Sequence, residues 1–144
     1  MMHGFELKSD RDTLHRLPEQ ARAYAAVFDY VTLVVGEHHL RHAIEIIPDW
    51  WGIRVVRLYR GQLVFRDLRL AMVNTSPDPL ATVRLLWRVE ALNILAEVSN
   101  RKVPSSRPRE SIYSELLARV EFGHLRDAVR RCLKNRKNQR PDDM

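Results

Sequence analysis

The sequence predicts an α/β protein with a helical C-terminal third. Three observations point there: a strand–helix–strand pattern within the first thirty-five residues, two β-rich runs on either side of Arg60-Gly61, and helical spacing of apolar side chains beyond Pro79. At 144 residues, with 45% hydrophobic and 29% charged side chains, the chain can bury a real core, which disfavours a disordered chain or a disulfide scaffold. We expect a single domain over residues 1–134, its helical part at about 79–134, and a basic, polar, disordered tail over 135–144.

Each element follows from its pattern. Phe5, Glu6, Leu7 and Lys8 alternate apolar and charged, so a strand sets Phe5 and Leu7 on one face and Glu6 and Lys8 on the other. Ser9 with Asp12 reads as a helix start, and Leu14, Leu17, Ala21, Tyr24 and Phe28 continue an amphipathic stripe that restarts or kinks near Pro18. Asp10 and Asp12 are expected to cap that helix. Residues 30–35 form a nearly all-apolar run closed by Gly36, the pattern of a strand covered on both faces and reached by a right-handed parallel crossover. A helix over 37–47 stops at Pro48, and a hairpin joins 53–59 to 62–68 through Arg60-Gly61. One long helix is predicted over 80–98, a basic linker over 101–109, and two helices over 112–120 and 125–133 separated near Gly123.

Lys and Arg number 24 against 18 Asp and Glu, a net charge of +6 with a pI near 10.0, which suits a polyanionic partner as well as simple solubility. Cys132 stands alone, so no intrachain disulfide forms, and a reducing, cytoplasmic setting is expected. No apolar run is long enough for a membrane span and no signal peptide is visible, so no membrane partner is expected.

The chemistry that stands out is Glu6 and Lys8 on one strand face. A carboxylate there can ligate a hard divalent cation, and an ammonium beside it can orient water at a phosphodiester. A Glu-x-Lys triplet alone is a weak signal, and a plain ion pair explains it as well.

The run Gly4-Phe5-Glu6-Leu7-Lys8-Ser9-Asp10-Arg11-Asp12-Thr13-Leu14, followed by Arg16-Leu17-Pro18, Gln20 and Tyr24, resembles the active-site region of the PD-(D/E)xK nuclease superfamily. Pro48-Asp49-Trp50-Trp51-Gly52, Leu86-Trp87-Arg88 and Glu90-Ala91-Leu92 extend the similarity to a small bacterial subgroup. The resemblance implies a reduced restriction-endonuclease-like mixed sheet with flanking helices. It also implies that Glu6 is a metal ligand, Lys8 a catalytic lysine and Gln20 a residue lining the site, with Mg²⁺ or Mn²⁺ as cofactor if the protein is active. The family's aspartate on a preceding strand has no counterpart here. Asp10, Asp12 or a carboxylate from another subunit would have to replace it, and the strand at 5–8 would keep an open edge for the hairpin or a second copy to pair.

Basic residues supply the other candidates. Arg126, Arg130, Arg131 and Lys134 stripe the last helix, the run continues through Arg136, Lys137 and Arg140, and Arg101, Lys102 and Arg107 lie in the linker. Arg54 and Arg57 interleave with aromatic residues on the hairpin, where an outward basic face is also ordinary edge protection. Trp50, Trp51 and Trp87 could stack on bases, although core roles are commoner, and His38, His39 and His42 lack a third ligand at zinc spacing. Two functions are expected from these features. The first is a nuclease-derived, catalytically impaired binder of nucleic acid, DNA before RNA, or of a protein–nucleic-acid complex, with an anti-CRISPR-like inhibitor as one form of it. The second is a metal-dependent DNA endonuclease or repair nuclease completed by an aspartate from another segment or subunit.

Overall fold

A computed structural model describes residues 1–136 and divides the chain into two units, Met1–Pro77 and Asp78–Met144, each with its own hydrophobic core. The expected tail falls mostly on residues 137–144, outside the described residues; Asn135 ends a helix and Arg136 is packed.

In the first unit, strand β1 (His3–Lys8), helix α1 (Leu17–Val27), strand β2 (Tyr30–Gly36), a 3₁₀ turn (Glu37–His39), helix α2 (Leu40–Ile46), strand β3 (Gly52–Tyr59) and strand β4 (Gln62–Arg69) follow in order. The sheet order is β1-β2-β3-β4, with the first three strands parallel and β4 antiparallel to β3. Both parallel crossovers step the same way along the sheet, so right-handed connections put α1 and α2 on the same face. That face holds the core, where Leu17 and Ala21 of α1 and Ala43 of α2 meet Val31, Leu33, Val35, Ile53 and Val55, with Ile47 and Trp51 closing it. No described helix of the first unit lies over the other face. Strand β2 therefore departs from the expected two-sided cover: Tyr30 and Val34 on the open side are only half-buried. Because the strand order never reverses, the sheet also lacks the switch-point crevice in which doubly wound folds bind ligands.

The stretch before α1 differs from the expected helix. Asp12 accepts hydrogen bonds from the Ser9 backbone N–H at 2.7 Å and from its hydroxyl at 2.8 Å, closing a local turn. Asp10 reaches forward to accept from the His38 N–H at 3.1 Å, so it caps the 3₁₀ turn that follows β2. The helix itself begins only at Leu17, with Pro18 in its first turn, where a missing N–H costs nothing. The hairpin forms as expected: Leu58 pairs with Leu63 and Tyr59 with Gln62, leaving Arg60 (φ 49°) and Gly61 (φ 77°) as a two-residue turn with both φ positive. It pairs with β2 through β3, so it does not close β1. Among the described residues no strand covers the outer edge of β1.

The second unit holds α3 (Pro79–Val83), α4 (Arg88–Ser99), α5 (Arg109–Arg119) and α6 (Phe122–Asn135). Val83, Leu86, Ala91, Leu95, Ile112, Tyr113, Leu116, Leu125 and Val129 form its core. The long helix expected over 80–98 is broken at 84–87. There Trp87 is extended (φ −67°, ψ 155°), its N–H donates to the Glu90 carboxylate at 2.7 Å, and the Leu86 carbonyl accepts from the buried Tyr113 hydroxyl at 2.7 Å. Arg136 then locks the break: its Nε lies 2.9 Å from Glu90, it donates to the Leu85 carbonyl at 2.7 Å, and its guanidinium sits 4.2 Å from the Trp87 ring centroid. Burial raises the Glu90 carboxyl, but the Arg136 and Trp87 hydrogen bonds outweigh it and hold it below the ordinary range. No described helix is long and apolar enough to cross a membrane.

Candidate nucleic-acid interface

Alternation along β1 separates its two kinds of side chain as expected, but the charged pair faces inward. Glu6 and Lys8 are only 6% and 8% exposed, lying under the helices, while Phe5 and Leu7 face out. The Lys8 ammonium is 3.2 Å from the Glu6 carboxylate, so each neutralises the other within the unit. Tyr24 lies beside Glu6, and burial followed by that carboxylate pushes its phenol up. Gln20 comes from the adjacent helix with its carbonyl oxygen buried and without a hydrogen-bond partner. A divalent cation does not fit this arrangement. One carboxylate already matched by an ammonium is a poor hard-cation site, Asp10 and Asp12 are occupied as described above, and no described group of three His, Cys, Asp or Glu converges.

The basic character of the protein is concentrated in the second unit. Residues 78–144 carry 14 Lys and Arg against 9 Asp and Glu, while residues 1–77 carry 10 against 9. Within that unit, α5 presents Glu115 to three arginines. Arg101 approaches it at 3.3 Å from the loop after α4, Arg119 at 2.6 Å from one turn along α5, and Arg107 also pairs with it. Hydrogen bonds from Arg107 and then Arg119 hold the Glu115 carboxyl below its usual range. Three positive charges around one carboxylate leave an excess of two, and exposed Lys102 follows Arg101 in the chain. The three arginines are not equivalent. Arg107 is the most enclosed and donates to the Ser111 hydroxyl at 3.0 Å, so it holds the loop against α5, whereas Arg101 and Arg119 are about half exposed.

The chain matches the family described as Bacteriophage P4 protein cII over residues 1–144. The chain belongs to that family. No curated protein and no solved structure matches it. The resemblance to PD-(D/E)xK nucleases is thereby corrected: the family matched over the whole chain is the P4 cII family, and the roles given to Glu6, Lys8 and Gln20 lose the support of that resemblance. The physical reason for the misreading is visible in β1, where an acid–base pair turned inward produces the same triplet as one lining a cleft.

The other sequence candidates divide into paired and open groups. Arg54 makes two hydrogen bonds to Asp67, at 2.6 and 3.1 Å, and Arg57 lies 3.9 Å from Glu37, so the hairpin is close to electrically neutral at these positions. On α6, Arg126 stacks 5.6 Å over Phe122 and, like Arg130, is half-buried, while Arg131 and Lys134 are exposed near the helix C-terminus. Lys137 and Arg140 lie outside the described residues. Trp51 is fully buried and stacks on Tyr24 at 6.0 Å, and Trp87 lies under Arg136, so both serve packing. Arg119 and its carboxylate partner were not among the sequence candidates; a Glu-x-x-x-Arg spacing within one helix was the available signal.

Proposed function

We propose that this protein binds nucleic acid, with the helical unit contacting phosphates through Arg101, Lys102 and Arg119 and through Arg131 and Lys134 of α6. The observation that carries the proposal is the sharing of one carboxylate, Glu115, by three guanidinium groups in the unit that holds nearly all of the net charge. Half-exposed guanidinium groups held by an anchored neighbour are pre-organised donors, and their excess charge favours a polyanion. Contacts of this kind position a protein on a backbone and carry no sequence code, so binding that tolerates many sequences is expected. A protein that occupies phosphates in this way also blocks them, so interference with a protein–nucleic-acid complex is the inhibitory form of the same function.

Fluorescence anisotropy with single-stranded DNA, duplex DNA and RNA of equal length, over a salt series, tests this. Binding that weakens steeply with salt and is reduced in Arg101→Ser and Arg119→Ser supports the proposal. An absence of binding to all three at low salt overturns it.

A further inference from the structure

Among the described residues of the first unit no helix covers the second face of the sheet, which carries many apolar side chains around the Arg54–Asp67 pair. Strand register sets Phe5 and Leu7 of β1, Val34 of β2, Val56 and Leu58 of β3, and Leu63 and Phe65 of β4 on this side, and Leu70 borders it after β4. Its large side chains range from 48% exposed at Phe5 to 77% at Leu70. Single exposed leucines need no explanation, but these share one face of four adjacent strands, with the Arg54–Asp67 pair among them.

Two properties indicate what covers this face. The first is area. At about 200 Å² for each whole side chain, the exposed fractions of Phe5, Leu7, Leu58, Leu63, Phe65 and Leu70 leave about 760 Å². That exceeds the roughly 300–600 Å² of the largest patch on an ordinary monomer, and two such faces together reach the roughly 1,200–2,000 Å² of a standard interface. The second is charge. Arg54 and Asp67 are directly opposed on β3 and β4 and satisfy each other across this face. A nearly neutral surface gains little from a nucleic acid or from a strongly charged peptide, yet it complements a copy of itself. A two-fold axis requires that self-complementarity, and two twisted sheets can pack face to face about 10 Å apart.

We infer that the open sheet face is the interface of a homodimer, with a second copy of this chain as its occupant. This surface is distinct from the arginine cluster, so dimerisation would place two phosphate-binding units on one assembly and would raise affinity through avidity.

Sedimentation equilibrium on the full chain tests the inference. The expected result is a species of twice the 16.9 kDa chain mass. Leu58→Glu and Leu63→Glu, both at exposed positions, should each weaken association by roughly thirtyfold or more. Their far-UV circular dichroism should match wild type, and Arg101→Ser should leave the association constant unchanged. A wild-type monomer at roughly 100 µM overturns the inference, because an interface of this area should be populated there. A dimer indifferent to both glutamate variants also overturns it, by placing the interface elsewhere. So does a monomer that binds neutral phosphatidylcholine vesicles through Leu58 and Leu63, which would make a lipid surface the occupant.

Discussion

Replacing Lys8 by methionine should unfold or severely weaken the first unit. The change leaves the Glu6 carboxylate enclosed beneath the helices without its ammonium, which lies 3.2 Å away in the native pair. Removing one partner of a buried ion pair typically costs roughly 3–5 kcal/mol, because the other charge is left enclosed without compensation. Tyr24 beside Glu6 offers a residual hydrogen bond, so this figure is an upper bound. For a unit of this size it corresponds to a loss of roughly 15–30 °C in Tm.

Glu6→Gln removes the other partner and leaves the Lys8 ammonium enclosed without its carboxylate, so a penalty of similar size is expected. The double variant should lie within about 1.5 kcal/mol of wild type, since an apolar or neutral pair of similar volume is tolerated. Urea unfolding followed by Trp50 and Trp51 fluorescence, in a Trp87→Phe background, reads these differences. Single variants within experimental error of wild type, or a double variant no more stable than either single one, would refute the enclosed-pair reasoning.

Further outcomes follow from the second unit and the turns. Glu90 is held below the ordinary carboxylate range, so its contribution is full above its unfolded value and is lost as pH falls through its lower folded value; Arg136→Ala should remove that acid-side loss in thermal melts between pH 7 and 3. Glu115→Gln removes the one negative charge among three arginines and should tighten duplex DNA binding by about threefold to tenfold at low salt. At the hairpin turn, Arg60→Asn should stabilise the first unit by about 0.5 kcal/mol and Gly61→Ala should destabilise it by about 1 kcal/mol, both read by urea midpoints.

Local chemistry made parts of this fold readable in the sequence. Arg60-Gly61 between β-rich runs identified the hairpin because two positive φ angles need a permissive residue, and the alternation at residues 5–8 identified the faces of β1. Alternation cannot say which face is inside, however, and here the core-facing side carries the charges. The missed break at 84–87 contains neither proline nor glycine; it is held by Glu90 and by Arg136, forty-six residues further on. Asp12 closes a turn with the same Ser-x-x-Asp spacing that starts a helix, which explains the overextended first helix. In the candidate site, Arg101, Lys102 and Arg107 were visible as a basic stretch, but the convergence of Arg101 and Arg107 on Glu115 depends on how the loop returns to α5.

The central claim is that Arg101 and Arg119 meet phosphates, and the salt dependence of duplex DNA binding tests it most directly. For wild type, log K should fall linearly with log salt, and the Arg101→Ser, Arg119→Ser double variant should reduce the magnitude of the slope by about two, one for each lost phosphate contact. An unchanged slope in a folded double variant would contradict it, because the phosphates would then be met elsewhere on the protein.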